Sequence, residues 1–361
     1  MLHDRTVTIR RMERFRSILG DHNDEASLVL DIKNIQYLVG FTGSDGFLFV
    51  DSDRTTLWVD GRYENQARRE AAGVEVRQYR DKIAGIAEAV SASSRGIIGF
   101  DAAAMTVETH ARVMEKLPGV RLIPAPDDLK RLRAVKEEGE IGDMRKAAKI
   151  AGDAVRGALE LVKPGVREKD IAIELEYRML RLGADGVAFP SIVASGENAA
   201  LPHASPGNRR IGERDVIVLD YGAVVEGYRS DETVTVSVGK PPDDFLKGYR
   251  AVREAHDRAI GAVQNGVACS RIDAVARDCL SEAGWGAFFT HGTGHGVGLN
   301  VHEHPRLSAA FQGNLETDMV VTVEPGIYLA GRWGIRIEDM VRVGNGGCEV
   351  LTTLTKDPMV L

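Results

Sequence analysis

The chain has 361 residues, of which 53 are Asp or Glu and 46 are Lys or Arg, giving a formal net charge of −7. This length exceeds one ordinary hydrophobic core and favours two domains. The charges form no basic run, which excludes the usual surface for nucleic acid or acidic lipid. We therefore expect no nucleic-acid partner and no membrane partner.

The first third alternates short strand-like segments with helical ones, which predicts an α/β domain. The predicted strands lie at 27–32, 46–51, 55–60, 95–101 and 120–125, and the predicted helix lies at 62–73. Near residue 125 the pattern changes to long helical spacing. The predicted domains are therefore 1–128 and 129–361, and the apolar stripes of helices 134–162 and 246–264 are expected to be core faces or subunit contacts.

The cysteines and the N-terminus indicate the compartment. Cys269, Cys279 and Cys348 form neither a CxxC pair nor a zinc spacing with histidine, so reduced structural thiols are expected. Segment 1–17 alternates charges and lacks the apolar core of an export signal, and no apolar run approaches the ~20 residues of a membrane span. We expect a cytoplasmic protein.

Five possible metal ligands lie in apolar or glycine-rich segments of the C-terminal half, where an acid is costly to bury without a cation or strong hydrogen bonds. They are Asp220, Asp231, His295, Glu324 and Glu338. Taken singly, an acid such as Asp220 also fits a turn cap. Together, four carboxylates and one imidazole suit Mn²⁺, Co²⁺ or Fe²⁺ and tolerate Zn²⁺. If the five converge, they describe a two-metal hydrolase.

Strand pairing can bring two of these acids to one face. A two-residue turn at Glu226 and Gly227 pairs Asp220 with position 233, and Asp231 then shares that face. The second pair of acids needs a different turn.

Glu324 and Glu338 reach one face only if their hairpin has an odd-length loop or a bulge. The region from Gly331 to Gly334 can supply either. The sequence therefore predicts two hairpins that each carry two acids.

Four of the nine histidines lie within residues 291–304, where they alternate with glycines. A single histidine in a strand is more often a hydrogen-bonded core residue, but this density beside acid-bearing strands favours function. His302 and, from a separate loop, His203 are predicted to hydrogen-bond a substrate carbonyl or a tetrahedral oxyanion rather than a metal.

In these segments the chain resembles the pita-bread metallopeptidases, specifically their Xaa-Pro aminopeptidase and prolidase branch. The motifs LDYG, SDET, HGTGHGVGLNVHE, VEPGIY and GIRIED occur in the family's order and spacing. The first third resembles the creatinase-type N-terminal domain through NIQYLVGFTGSDGFLFV and LWVDGRY. The resemblance implies an α/β (α+β) fold, in which a creatinase-like α/β domain precedes a pita-bread catalytic domain, and it implies a homodimer.

The resemblance also implies the reaction. The five candidate ligands would bind two divalent ions, with Mn²⁺ expected and Co²⁺, Fe²⁺ or Zn²⁺ as alternatives. A metal-bridging hydroxide would attack the scissile carbonyl of a peptide with proline in the second position. Glu324 corresponds to the general base, and His203 and His302 correspond to the histidines around that carbonyl.

Three further residues, His291, Tyr328 and Arg336, match family positions that shape the subsite for the proline ring. Plainer interpretations remain for two of them. Tyr328 also fits a core aromatic, and Arg336 also fits an ion pair with a nearby acid.

Two departures from the family bear on specificity. Val234 stands where many relatives have an arginine. Prolidases restricted to dipeptides tend to hold the substrate carboxylate with an arginine in the loop before VEPG, whereas loop 307–319 has no Lys or Arg. This favours an Xaa-Pro aminopeptidase over an Xaa-Pro dipeptidase, although Arg306 lies close enough in sequence to reach the site.

Two other classes remain as alternatives. A non-catalytic pita-bread binding protein would show substituted ligands, whereas all five are present. A creatinase-like C–N hydrolase uses the fold without metal, and the retained acids count against it.

Overall fold

A computed structural model describes residues 5–21, 26–71, 73–93, 95–125 and 128–361. The chain divides into two units, Met1–Arg133 and Ala134–Leu361. The sequence-based domain boundary after residue 128 precedes this division by the length of a short helix. Residues 1–4 of the N-terminal segment and residues 126–127 beside the predicted boundary lie outside the described residues.

One mixed sheet forms the centre of the first unit as described. Its strands are β1 (Ala26–Val29), β2 (Phe47–Asp51), β3 (Thr55–Val59), β4 (Glu75–Gln78), β5 (Ile97–Phe100) and β6 (Arg121–Pro124). They lie in the order β4-β3-β2-β1-β5-β6, in which β2 is antiparallel to both of its neighbours, β1 and β3, and the other pairs are parallel. The five predicted strands correspond to β1, β2, β3, β5 and β6.

Helices flank this sheet. They are α1 (Arg5–Asp21), α2 (Ile32–Val39), α3 (Glu64–Glu70), α4 (Lys82–Ser93), α5 (Val107–Lys116) and α6 (Asp128–Ala134). The predicted helix at 62–73 corresponds to α3. The core is aromatic, because Phe47 stacks on Trp58 at 5.6 Å and on Tyr79 at 5.9 Å between ring centroids.

The second unit places helix pairs outside several small sheets. Its helices are α7 (Glu138–Leu159), α8 (Glu168–Arg181), α9 (Phe245–Ala262) and α10 (Cys269–Glu282), with single 3₁₀ turns at Gly196–Ala200 and Gly286–Phe288. Its strands are β7 (Gly186–Val187), β8 (Ile192–Ser195), β9 (Val216–Tyr221), β10 (Ala223–Val225), β11 (Tyr228–Arg229), β12 (Glu232–Ser237), β13 (Gly294–Gly296), β14 (Glu303–Leu307), β15 (Val320–Val323), β16 (Gly326–Leu329), β17 (Trp333–Arg336), β18 (Asp339–Gly344), β19 (Gly347–Val350) and β20 (Met359–Val360).

The strands of the second unit form four sheets among the described residues, in the orders β11-β10-β7, β20-β12-β9-β8, β14-β13-β15-β18-β19 and β16-β17. Helices α7 and α8 share a hydrophobic cluster with β8, β9 and β12. Helices α9 and α10 share another with β15 to β18. Each sheet therefore has one face against helices, and its other face is available for polar side chains.

Local sequence explains the close packing of α7. The helix begins with a capping box, in which the backbone N–H of Glu137 donates to Glu140 Oε2 at 2.8 Å. Its buried face is rich in alanine, including Ala147, Ala151 and Ala154. These small side chains allow α8 and the sheet to approach closely. Within the described part of the chain, no helix combines the length and apolar character needed to cross a membrane.

Candidate metal centre and active site

The first acid-bearing hairpin has the predicted turn and register. Glu226 and Gly227 have φ values of 52° and 82°, the positive values that a tight two-residue hairpin turn requires. Strand β9 then pairs with β12 so that Asp220 lies opposite Thr233. Asp231 lies just before β12, on the same face of the hairpin as Asp220, as the register predicts.

The second hairpin also has the predicted odd-length loop. Strands β16 and β17 pair up to Leu329 and Trp333, which leaves residues 330–332 as the loop, with Gly331 at φ 70°. Beyond them, Val323 pairs with Asp339 in the same register. Glu324 and Glu338 therefore lie opposite each other, one step from this pair.

The two hairpins bring the candidate ligands together. Ligand atoms of Asp231, His295 and Glu338 all lie within 4.8 Å of one another, which is close enough to hold one ion. His295 Nε2 also lies 3.3 Å from Glu324 Oε1 and 3.7 Å from Asp231 Oδ2. All ten residues that the sequence singles out line one cavity of about 720 Å³: Asp220, Asp231, His295, Glu324, Glu338, His203, His302, His291, Tyr328 and Arg336.

The ring of His295 is oriented for ligation. Its Nδ1 lies 3.1 Å from the carbonyl oxygen of Gly296, an acceptor, so Nδ1 carries the proton. The lone pair of Nε2 then faces Asp231 and Glu324. The backbone N–H of His295 donates to Thr322 Oγ1 at 3.1 Å, and this contact fixes the strand that carries the ring.

The electrostatics of the cluster fit a bound cation. Burial raises the pKa of Asp231 and Glu338 well above the ordinary values, and repulsion from neighbouring carboxylates adds to the effect. Burial also raises the pKa of Glu324. Asp220 Oδ1 is buried and has no hydrogen-bond partner among the described residues. A divalent cation here would offset the repulsion and satisfy this oxygen, and the oxygen-rich, thiolate-free lining suits a hard metal.

The three residues predicted for the proline subsite form a hydrogen-bonded chain. Arg336 Nη1 donates to the Tyr328 hydroxyl at 3.0 Å, and that hydroxyl lies 2.9 Å from His291 Nε2. His291 Nδ1 faces the carbonyl of Gly292 at 2.8 Å, so Nε2 accepts from Tyr328. Burial lowers the pKa of His291 and keeps the ring neutral. The plainer ion-pair interpretation of Arg336 also holds, because its Nη2 lies 2.5 Å from Asp220 Oδ2.

The mouth of the cavity carries His203, His302 and Arg306. The ring of His302 lies edge-on to His295, with centroids 4.2 Å apart. Burial lowers the pKa of His302 to about 4, and the neighbouring His295 and Arg306 add to the effect, so the His302 imidazole is neutral at neutral pH. The residue Arg306 is exposed, and its guanidinium makes no hydrogen bond or ion pair with any described residue.

Sequence patterns did not reveal the residues that support the cluster. Thr233 donates to Glu338 Oε2 at 2.6 Å and accepts from Arg336 Nε at 3.1 Å. The fully buried Asp273 accepts from both the N–H and the hydroxyl of Thr293 at 3.0 Å, next to the histidine segment. The position of Thr233 two residues after Asp231, on the same face of the strand, was a usable signal, whereas nothing in the sequence around Asp273 indicates its role. Val234 lies in the apolar cluster under β12 and does not line the cavity.

Comparison with known proteins gives the same architecture. Residues 142–345 match the model of Metallopeptidase family M24, and residues 11–135 match the Creatinase/Prolidase N-terminal domain. An Xaa-Pro dipeptidase of Pyrococcus furiosus is 34% identical over 350 residues, covering 96% of this chain and 99% of the relative.

Two solved structures are also similar. The Xaa-Pro dipeptidase from Bacillus anthracis has a TM-score of 0.95 and 35% identity, covering 98% of this chain and all of the other. The X-Pro aminopeptidase from Thermotoga maritima MSB8 has a TM-score of 0.90 and 37% identity, covering 97% of this chain and 99% of the other.

The fold and the buried carboxylate and imidazole cluster define a metal-dependent hydrolase. More particularly, the chain belongs to Metallopeptidase family M24 and carries a Creatinase/Prolidase N-terminal domain. The expected pita-bread fold with a creatinase-type domain before it is confirmed, as is the expectation of an enzyme of this family. The relatives divide between dipeptidase and aminopeptidase names.

Proposed function

We propose that the chain is a metal-dependent exopeptidase that releases the N-terminal residue from peptides with proline in the second position. The observation that carries this proposal is the convergence of ten residues on one cavity of about 720 Å³. This volume lies within the roughly 300–1,000 Å³ usual for small-ligand sites. The names of the similar dipeptidase and aminopeptidase support the same substrate class.

Two divalent ions are proposed as the cofactor, with Mn²⁺ first and Co²⁺, Fe²⁺ or Zn²⁺ as alternatives. The residues proposed to hold them are Asp220, Asp231, His295, Glu324 and Glu338. When bound, such ions supply Lewis acidity that lowers the pKa of water and polarises an amide carbonyl. The family implies divalent metals, and the unpartnered Asp220 Oδ1 supports a cation in this cluster.

Glu324 is the proposed general base. Its Oε1 accepts from the Thr322 hydroxyl at 3.3 Å, which orients the carboxylate. The carboxylate can therefore take a proton from the attacking water and pass it to the leaving amine.

His203 and His302 are proposed to bind the scissile carbonyl region. Both line the cavity, and the neutral ring of His302 can donate an N–H to the oxygen that gains charge in the transition state. A neutral donor adds no positive charge that would compete with bound metal ions.

The side chains of Arg336, Tyr328 and His291, which are hydrogen-bonded in that order, are the proposed wall of the subsite for the proline ring, called here the proline wall. Each polar group in this wall already bonds to a neighbour, so the wall is rigid and contributes shape. This supports selection of a compact ring after the scissile bond.

The length of the substrate separates two candidate activities. The aminopeptidase is the first candidate, because loop 307–319 offers no cation to hold a C-terminal carboxylate and a longer peptide can leave the cavity. The dipeptidase is the second, and Arg306 favours it. This exposed guanidinium lines the cavity without a partner among the described residues and matches a carboxylate in charge and geometry.

A chain-length series tests the activity and separates these candidates. The Mn²⁺-loaded protein is assayed on Xaa-Pro, Xaa-Pro-NH₂ and Xaa-Pro-Xaa, with Xaa-Ala as the control, and kcat/KM is measured for each. An aminopeptidase cleaves all three proline substrates comparably, whereas a dipeptidase loses activity on the amide and the tripeptide. If the protein is a dipeptidase, Arg306→Ala is expected to remove the higher kcat/KM for Xaa-Pro, which has a free carboxylate, relative to Xaa-Pro-NH₂. Inactivity on every proline substrate would overturn the proposed function.

Metal analysis separates the enzyme from a non-catalytic binding protein. An enzyme of this design gains thermal stability when Mn²⁺ is added, because the ion binds the folded state. A protein that contains no metal and shows no such gain would favour the binding protein.

Three further properties are proposed. The first is the division into two domains near residue 128. All residues that line the cavity belong to the second domain, so the proposed chemistry takes place there. A cytoplasmic location is supported by three unpaired cysteines. A homodimer rests on family resemblance and is tested by light scattering.

A further inference from the structure

Glu168, at the start of α8, is a buried acid that the proposed reaction does not use. Its side chain is fully buried. Its carboxylate accepts from Ser195 N at 2.7 Å, from Ser195 Oγ at 2.8 Å and from Gly207 N at 3.2 Å. Asn198 Nδ2 reaches both carboxylate oxygens, at 3.1 and 3.2 Å. One carboxylate thus holds both ends of the segment 195–207.

The backbone strengthens this attachment. Glu168 N donates to the carbonyl of Arg209 at 3.1 Å, and Lys169 N donates to the carbonyl of Gly207 at 3.1 Å. Arg209 Nη1 donates to Ser195 Oγ at 2.6 Å, so a cation contacts the same hydroxyl as the acid. The donors to the Glu168 carboxylate are backbone N–H groups, a hydroxyl and a side-chain amide, all of them neutral. The charge of Glu168 is therefore satisfied without a direct ion pair among the described residues.

The segment also contacts strand β17. A Cβ added at Gly334 would overlap the carbonyl oxygen of Ala199, so the two backbones are in direct contact. Arg336 Nη1 donates to the carbonyl of Pro202 at 3.2 Å. The segment is therefore held both by Glu168 and by the strand that carries Arg336.

His203 lies in the middle of this segment and lines the cavity. We propose that Glu168 is a positioning residue, which acts through the segment 195–207 to place His203 and the Pro202 carbonyl at the cavity. This inference rests on the proposed function for the role of His203. Glu168 itself does not line the cavity among the described residues.

The test is a double-mutant cycle of Glu168→Gln and His203→Ala on an Xaa-Pro substrate. Gln keeps the shape but turns an amide N–H₂ toward donors that need an acceptor. Displacing His203 by about 1 Å is expected to lower kcat/KM by roughly 100-fold. In the His203→Ala background, the same change is expected to cost about threefold or less, because the two residues act together.

Two measurements do not depend on activity. Hydrogen exchange of the Ser195 and Gly207 amides is expected to accelerate in Glu168→Gln. Its Mn²⁺ affinity is expected to stay within about twofold of the parent's, because no proposed ligand contacts Glu168. The control is Glu174→Gln, which removes a partly exposed acid of the same helix that pairs with Arg178.

Several outcomes overturn the inference. They are an equal loss of kcat/KM with and without His203, unchanged exchange of the two amides, and a fall in Mn²⁺ affinity parallel to activity. If Glu168→Gln does not fold, Asn198→Ala removes two of the contacts and takes its place with the same expectations at smaller amplitude. A parent without Xaa-Pro activity refutes the proposed function, and the exchange data then still test whether Glu168 holds the segment.

Discussion

Arg336 Nη2 lies 2.5 Å from Asp220 Oδ2, and this contact joins the buried cation of the cavity to a candidate metal ligand. It leaves Asp220 Oδ1 without a partner among the described residues. The two oxygens of one carboxylate thus have different tasks: one is held by the protein, and the other is available to a metal ion. Arg336 therefore links the proline wall to the metal centre.

Arg336→Lys is expected to lower kcat/KM by roughly 100-fold, because a lysine ammonium cannot reproduce the fork that bonds Asp220, Tyr328 and Thr233 at once. Bound metal, measured by elemental analysis, should change little, since Arg336 is not itself a proposed ligand. The control is Arg332→Lys, an exposed arginine of the same hairpin that pairs with Asp244. Activity within twofold of the parent would contradict this role.

Glu338→Gln is expected to stabilise the metal-free protein while abolishing the response to metal. In the absence of a cation, burial, followed by repulsion from the neighbouring carboxylates, raises the pKa of Glu338, and a neutral amide avoids both the burial of a charge and the repulsion. The amide oxygen can still accept from the Thr233 hydroxyl.

Calorimetry with and without Mn²⁺ measures both effects. In the parent, Mn²⁺ at 100 times its Kd is expected to add about 2.7 kcal/mol of stability. Glu338→Gln should melt higher than the metal-free parent and gain nothing from Mn²⁺. Glu282→Gln, at an acid with 72% of its side chain exposed, should behave as the parent does. A variant that keeps the metal-induced shift would show that Glu338 is not a ligand.

The hairpins show how much of the site was predictable from sequence. Glu226 and Gly227 define a two-residue turn, and a turn of known length fixes the register that aligns Asp220 with position 233. The same reasoning required an odd loop at Gly331, which the structure has. Local chain geometry was sufficient because each pair of acids lies on one hairpin.

The supports of the site were not predictable in this way. Glu168 contacts residues about 30 to 40 positions away, and Lys356 contacts an acid 124 positions away. Their partners are set by how separate elements pack, which alternation and spacing do not encode. Helix α2 was likewise absent from the predicted elements, because IKNIQYLV is short and mostly apolar and fits a buried strand equally well.

Lys356 is expected to be essential for stability. Its Nζ lies 2.5 Å from Glu232 Oε1 and 3.2 Å from Asp339 Oδ1, and all three side chains are buried. Lys356→Met leaves buried acids without their cation and is expected to lower the unfolding free energy by about 3–5 kcal/mol.

The double variant Lys356→Met with Glu232→Gln should recover part of that loss, because it removes one of the uncompensated charges. Urea unfolding measures both variants, and Lys240→Met serves as a control on a lysine that is 81% exposed. A single variant within about 1 kcal/mol of the parent would mean that water or His256 compensates the acids without Lys356.

Asp101 gives the first unit a specific pH dependence. Its carboxylate accepts from the backbone N–H groups of Leu30 and Asp31 at 2.9 Å, yet burial outweighs these bonds and raises its pKa to about 6. In the unfolded chain an aspartate has a pKa of about 3.9. Between these values the folded protein binds a proton that the unfolded protein releases, so stability decreases as pH rises from about 4 to 6 and is level above that range.

The difference of about two pKa units corresponds to roughly 3 kcal/mol across this interval. Asp101→Asn, which carries no titrating proton, is expected to remove this part of the slope while leaving the contributions of other groups unchanged. The measurement is the difference in unfolding free energy between parent and variant, in metal-free protein, at several pH values between 4.5 and 7.5. Asp53→Asn, at an exposed acid of the same unit, should leave the slope unaltered. If the parent and Asp101→Asn keep parallel profiles, the Asp101 carboxyl titrates near its ordinary value, and its two backbone hydrogen bonds outweigh burial.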